Sequence, residues 1–420
     1  MYGSEINSFA PRGQPEVWLV AGTRPEAVKL APVARASFDN GRIRPVMVAS
    51  GQHPEMVSQA LRTFGLKSDV DITVRRGSGT QPELLSELIT ALDELAESRP
   101  PAAVLVQGDT TTTLAGALTA FWRRVPVVHL EAGLRSFDLR APFPEELNRR
   151  MVTQVGDFHL APTELAARNL RDSGIAPERI LVSGNTVVDA VESATRGERV
   201  FENGELAGTV ERAANGDDRL VLVTVHRRES WGEPMRRILT AVRELTTLHP
   251  DIRVVLPAHP NPRVGGMVRG MFEADPRVLV TDPLPYGELA HVLAASTLVL
   301  SDSGGIQEEA PAFGVPVLVL RDVTERTEAV DAGCALLVGS ERARIVHHAS
   351  RLLDDARARE SMLAGGNPFG DGRGAERAEV VLAWLLGAAP ELPEPFVAAT
   401  SPASGVCSSV DSAGVPEHSG

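Results

Sequence analysis

Short, wholly apolar runs alternate along this chain with longer stretches whose apolar positions recur every three or four residues. The short runs predict buried strands at Val17–Ala21, Val46–Ala49, Ala103–Gln107, Val125–His129, Phe158–Ala161 and Ile180–Ser183. The longer stretches predict helices between them, as at Pro82–Ala96 and Thr110–Trp122. After a polar gap at 197–218 the pattern starts again, with strands at Leu220–Val225, Val254–Pro257, Val278–Val280, Leu298–Leu300 and Val315–Leu320. Strands that are apolar throughout and separated by helices predict parallel sheets covered on both faces. The fold class is therefore α/β, with two Rossmann-like, doubly wound domains facing a central cleft.

The expected boundaries follow from the same pattern. A loose, disordered N-terminus covers 1–15, a first domain 16–195 and a second domain 196–366. Residues 367–387 read as a hinge and a returning helix: a turn cluster, Asn367–Gly374, precedes the amphipathic stretch Ala375–Leu386. From Ala388 to the end Pro, Ser, Ala and Gly dominate, and this composition predicts a disordered tail.

Charge adds a constraint. The formal net charge of −13 argues against nucleic acid or an acidic membrane as partner. Only two of the 42 basic residues are Lys, namely Lys29 and Lys67. A Lys that survives such a bias toward Arg is a candidate for a role that needs a compact ammonium. No apolar run reaches the roughly 20 residues of a membrane span. The N-terminus lacks the basic-then-apolar order of a signal peptide, and two Cys give no disulfide framework. These features predict a cytoplasmic protein.

Polar clusters recur where predicted strands end. The most informative is Ser301-Asp-Ser-Gly-Gly-Ile-Gln-Glu-Glu309. A strand, a small turn and a helix start make an anion site, because the first turn of a helix has unpaired N–H groups. Gly304 and Gly305 would let a phosphate approach the backbone, and Glu309 could accept hydrogen bonds from sugar hydroxyls. In the first half, Gly22-Thr-Arg-Pro-Glu-Ala-Val-Lys29 would send Arg24 into the cleft. Asp109 is read as a helix N-cap, a catalytic acid, or both. Glu131 follows a buried run and is expected to be paired, with Arg135 as its partner. Glu145 and Glu146 open a helix behind two Pro residues. His226 stands beside Arg227 and Arg228, His259 ends another strand, and Arg321 and Arg326 add positive charge near the phosphate turn.

Negative signals matter as well. Gly370-Asp-Gly-Arg-Gly-Ala375 formally fits a dinucleotide pattern, but no strand precedes it, so it reads as a hinge turn. Neither Lys completes a P-loop. There is no His-Glu-x-x-His motif or paired Cys, and adjacent His347 and His348 point apart on a helix. The sequence predicts neither a metal nor a cofactor.

Taken in order, Gly22–Lys29, Gly51–Met56, Gly108–Thr113, Glu131–Arg135, Pro144–Arg149, His226–Ser230, Ser303–Pro311 and Thr324–Arg326 resemble the non-hydrolysing UDP-N-acetylglucosamine 2-epimerases over roughly 17–387. The resemblance implies a GT-B-like fold, a homodimer and interconversion of UDP-GlcNAc and UDP-ManNAc. It implies a reaction centre of Arg24, Lys29, Asp109, Glu131, Glu145 and His226. Ser303, Gly304 and Gly305 would hold the diphosphate, Glu309 the ribose, Arg326 the phosphate region, and Leu284 and Leu289 the uridine side. Gln52, Glu55 and His259 match part of a second, regulatory UDP-GlcNAc site. Pro54, Leu289, Thr327 and the stretch Arg75–Gln81 depart from the family pattern. The alternatives are a hydrolysing 2-epimerase that releases ManNAc and UDP, a GT-B glycosyltransferase, and an idle nucleotide-sugar-binding regulator.

Overall fold

The computed structural model describes residues 13–75, 77–197 and 199–399. Two parallel sheets carry the chain. The first contains β1 (Glu16–Ala21), β2 (Arg44–Ala49), β3 (Val70–Asp71), β4 (Ala103–Gln107), β5 (Val127–Leu130), β6 (Phe158–Ala161) and β7 (Ile180–Val182). Its order is β3-β2-β1-β4-β5-β6-β7. The second contains β8 (Arg219–Thr224), β9 (Ile252–Pro257), β10 (Val278–Thr281), β11 (Ser296–Ser301), β12 (Val317–Val319) and β13 (Ala335–Leu337), ordered β10-β9-β8-β11-β12-β13. Helices cover both faces, so the central strands β4 and β5 are buried along their whole length. The architecture is the GT-B-like pair of α/β sheets.

Eleven strands overlap the predicted runs. Strands β3 and β13 were not expected. Both are edge strands. The two residues of β3 are too few to show a pattern, whereas β13 lies in a legible apolar run, Cys334–Val338.

In each sheet the winding reverses beside the first strand, between β1 and β4 and between β8 and β11. Such a reversal opens a crevice at the carboxyl ends of the two strands. Gly22 shows how tightly the first crevice is built. A Cβ there would lie 2.1 Å from Thr112 Oγ1 and 2.5 Å from Ser50 Oγ.

The last described helix, Gly374–Leu385, packs on the helix Arg24–Asn40 of the first half. Its start is fixed by Asp189, which accepts from the N–H of Gly374 at 3.2 Å and of Ala375 at 2.9 Å. Residues 388–399 correct the prediction of disorder from 388 onward. Phe396 is buried, donates its N–H to Val182 O at 2.7 Å and lies under the Arg377 guanidinium. Composition concealed this because one buried aromatic and one strand-edge hydrogen bond suffice to dock the segment. The remainder of that expected tail, 400–420, and most of the expected loose N-terminus, 1–12, lie outside the described residues. No described helix is long and apolar enough to cross a membrane.

Candidate active site

The two crevices face one cavity of about 480 Å³, within the usual range for small-molecule sites. The first half lends Arg24, Lys29 and Val187 to its wall. The second lends His226, His259, Leu284, Tyr286, Leu289, Ser303, Gly305, Glu309 and Arg326. Ten of the residues singled out in the sequence therefore line one cavity. Asp109, Glu131, Glu145, Gln52 and Glu55 are not part of that lining.

Glu131 lies directly behind Lys29. It follows β5 with φ of 60°, a left-handed conformation that is costly for a residue with a side chain. Oε1 accepts from Lys29 Nζ at 2.5 Å and from Asn185 Nδ2 at 3.2 Å, and Oε2 accepts from Gln107 Nε2. The expected partner, Arg135, bonds instead to Leu134 O and the Thr153 and Ser173 hydroxyls. Reach decides the matter. Lys29 projects from the neighbouring helix into the same buried space, whereas Arg135 lies five residues beyond the strand.

The network then crosses to the second half. Asn185 Nδ2 also donates to Glu308 at 3.3 Å, Lys29 Nζ lies 3.8 Å from Glu308, and Arg326 Nε donates to Glu308 at 2.8 Å. Two carboxylates and Lys29 are thus buried together, with half-buried Arg326 at their edge. Burial would push the Glu131 carboxyl up, but the charge and hydrogen bond of Lys29 outweigh it and hold the group below the usual range. Burial opposes the Lys29 charge, yet Glu131 and Glu308 raise its pKa. Glu308 likewise raises that of Arg326.

Asp109 behaves in the opposite way. Burial, together with the charges of Glu131 and Glu145, pushes its carboxyl up, against the pull of Arg149, with which it is paired. It is not the helix cap, because Thr110 accepts the N–H of Thr113 at 3.1 Å. The turn is braced on several sides. Asn148 Nδ2 donates to Asp109 O, buried Glu26 accepts from Thr110 Oγ1, and His129 Nε2 lies 2.8 Å from Gly108 O. Glu145 is half-buried at the start of its helix, whereas Glu146 is fully buried and paired with Arg149 and Arg150.

At the second crevice the turn after β11 is flanked by positive charge. A Cβ at Gly304 would sit 3.6 Å from Arg326 Cζ and 3.7 Å from Arg227 Nη2. Ser303 occupies the cap position of the helix Gly304–Glu309 without using its side chain as a cap, which leaves that hydroxyl for a ligand. Burial first, then the Glu308 charge, pushes Glu309 up to about 7. The buried Tyr286 hydroxyl faces the same carboxyl and is itself raised well above its ordinary value. Arg321 points elsewhere and bonds to Glu229 and Glu325. In the expected regulatory region, Gln52 accepts from Thr112 Oγ1 at 2.8 Å, Glu55 is exposed, and the His259 ring stacks edge-on against Trp231.

These features meet what known proteins show. The UDP-N-acetylglucosamine 2-epimerase family model matches residues 36–383. The chain belongs to that family. The UDP-N-acetylglucosamine 2-epimerase of Yersinia pestis is 40% identical over 365 residues, 86% of this chain and 96% of its own. That of Bacillus subtilis is 39% identical over 381 residues, 91% of this chain and 98% of its own. The crystal structure of the Neisseria meningitidis 2-epimerase bound to UDP-GlcNAc superposes with a TM-score of 0.77 at 37% identity. It covers 89% of this chain and 100% of the other. The Methanocaldococcus jannaschii 2-epimerase in complex with UDP-GlcNAc and UDP gives a TM-score of 0.69 at 30% identity, covering 88% and 99%.

Within this 2-epimerase site the sequence reading passed over Gln107, Asn185, Glu308 and Tyr286. Glu308 and Glu309 are adjacent carboxylates, and only the three-dimensional helix shows that the first faces the Lys29 cluster. Asn185 carried a signal that was legible, a polar residue ahead of an apolar helix. Its Oδ1 caps that helix at Val187 N, which leaves Nδ2 for the two carboxylates.

Proposed function

We propose that this chain interconverts UDP-GlcNAc and UDP-ManNAc without hydrolysis, by eliminating UDP and adding it back. The observation that carries this reading is the buried Lys29–Glu131 pair behind a cavity whose opposite wall is a cationic glycine turn.

The C2 hydrogen of GlcNAc is not next to a carbonyl and is too weak an acid for direct removal. Elimination avoids that difficulty. The C1–O bond breaks and its electron pair leaves on the β-phosphate oxygen of UDP. The C2–H pair becomes the C1=C2 bond of 2-acetamidoglucal, and the proton passes to an enzyme base. Reversal with protonation on the other face of C2 gives the epimer. Charge developing on UDP is stabilised by preplaced donors: the Ser303–Gly305 turn, Arg326 and His226. The two proton-transfer roles fall among Asp109, Glu131 and Glu145. Glu131, held ionised by Lys29, suits the base, and Asp109, pushed toward its protonated form, suits the acid. Arg24 and Lys29 orient the sugar and the carboxylates. Glu309 suits the ribose hydroxyls, and Leu284 and Leu289 the uracil side.

The same reading includes a homodimer in the cytoplasm and a regulatory UDP-GlcNAc at Gln52, Glu55 and His259. Exposed Phe121, Trp122, Leu147 and Met151, on two helices packed together, suit self-association.

Proton NMR of UDP-GlcNAc incubated with the protein in deuterium oxide tests the proposal. Deuterium at C2 with UDP still attached is the expected result. Free ManNAc would point to the hydrolysing reaction, and the absence of exchange would exclude both.

A further inference from the structure

Asp302 stands between β11 and the phosphate turn and has no exposed surface. Its carboxylate takes no part in the helix that follows and turns toward the loop after β8. Oδ2 accepts from Ser230 Oγ at 2.8 Å and from the Arg227 N–H at 3.0 Å. The His226 N–H is shared between the two oxygens, at 3.2 Å and 3.1 Å. Oδ1 is then left for the imidazole itself, with His226 Nδ1 3.1 Å away. Burial would raise the Asp302 carboxyl, but the ring and these donors hold it below its usual value, so it is an ionised acceptor.

An ionised carboxylate has no proton to offer. The contact at Nδ1 is a hydrogen bond only if Nδ1 carries the hydrogen. The other nitrogen, Nε2, then remains available to the cavity that His226 lines.

We infer that Asp302 is a positioning residue that fixes His226 as its Nδ1–H tautomer, so that Nε2 alone deals with the diphosphate. The inference rests on the proposed role of His226 in that reaction. Nε2 in its protonated form donates to the phosphate oxygen while the C1–O bond breaks. It keeps that proton while the bond breaks and re-forms, and the buried carboxylate balances the charge of the imidazolium throughout. A purely structural Asp302 would need only Ser230 and the two backbone N–H groups, all of which Oδ2 can serve.

The substitution Asp302→Asn separates the two roles. Its amide oxygen can take the place of Oδ2 and keep the Ser230, Arg227 and His226 backbone donors. Its NH₂ then stands where Oδ1 was and can only donate to the ring. That demands a bare Nδ1 and moves the hydrogen to Nε2. Heteronuclear NMR on the full chain, with isotope-labelled histidine in alkaline buffer where imidazoles are neutral, reads the tautomer directly. The signal is assigned by its loss in His226→Gln. The wild type should show Nδ1–H, and Asp302→Asn should show Nε2–H. The variant's kcat for C2 exchange should fall by about a hundredfold or more, because the amide cannot balance the charge of the imidazolium and turns away its Nδ1–H, while KM stays within about threefold.

A wild-type ring protonated at Nε2 would overturn the inference even if the variant does not fold. So would a folded variant that flips the ring yet keeps wild-type kcat, or one that loses activity without a flip. A wild-type protein with no C2 exchange would instead sink the functional reading. The tautomer, measured without substrate, would still decide the assignment of Asp302.

Discussion

At the residue scale, Glu131 is a tightly constrained group. It is buried, sits at positive φ and accepts from three side chains. Replacing it by Gln keeps the shape and removes the base. We expect C2 deuterium exchange to fall by about 10²–10⁴-fold, measured by NMR, with UDP binding retained. Glu309 leads to a different prediction because its pKa is raised, from 4.5 to about 7. Below pH 4.5 the carboxyl is protonated in both the folded and unfolded chain and has no effect on the balance. Between 4.5 and about 7 only the unfolded chain ionises, so the fold loses stability as pH rises. Above about 7 the penalty is complete. Glu309→Gln should therefore gain stability over the wild type across that window and keep the gain above it, as denaturant titrations at several pH values would show. Sequence alone singled out Glu131, since an acid directly after an apolar strand is hard to explain as surface, and Glu309, one turn into the helix that follows the glycine turn. It could not choose the partner of Glu131, because Lys29 lies 102 positions away and Arg135 only four.

At the element scale, the strand-to-helix turns make the site, and their glycines differ in what they allow. At Gly304 an added Cβ meets nothing closer than 3.6 Å, so Gly304→Ala should fold normally. The methyl would occupy the space beside Arg326 and Arg227 where a phosphate would rest. UDP affinity should fall about tenfold or more by calorimetry, which is about 1.4 kcal/mol. Gly133 offers no such room. It has φ of 93°, and a Cβ would lie 2.2 Å from Ala166 O. Gly133→Ala should lower unfolding stability by roughly 2–4 kcal/mol in urea titration, whatever its effect on catalysis. Element type was largely legible because fully buried parallel strands are apolar from end to end. The edge strand β3 was not, because its two residues are too few to carry a pattern.

At the scale of the whole molecule, the chain leaves the first sheet after β7, builds the second and returns through Gly374–Leu385. The segment after that helix is anchored by Phe396 against β7. Phe396→Ala should lower thermal stability, by about 2–4 kcal/mol for a buried aromatic of this kind, without changing the C2 exchange rate per folded molecule. Calorimetry and the exchange assay together check this. The sequence showed two α/β halves and a returning helix, since both have strong periodicity. It did not show the docked arm, whose contacts depend on one side chain and on where β7 ends.

The scarcity of lysine has a practical use. Of two side-chain amines, one, Lys67, is exposed, and the other, Lys29, is buried against the two carboxylates at the heart of the site. Isotope-labelled lysine would thus give a spectrum of two signals, one a bystander and one a built-in probe. Slow acylation of Lys29 by an amine reagent would count how often the interior becomes accessible, with Lys67 on the same molecule serving as the clock.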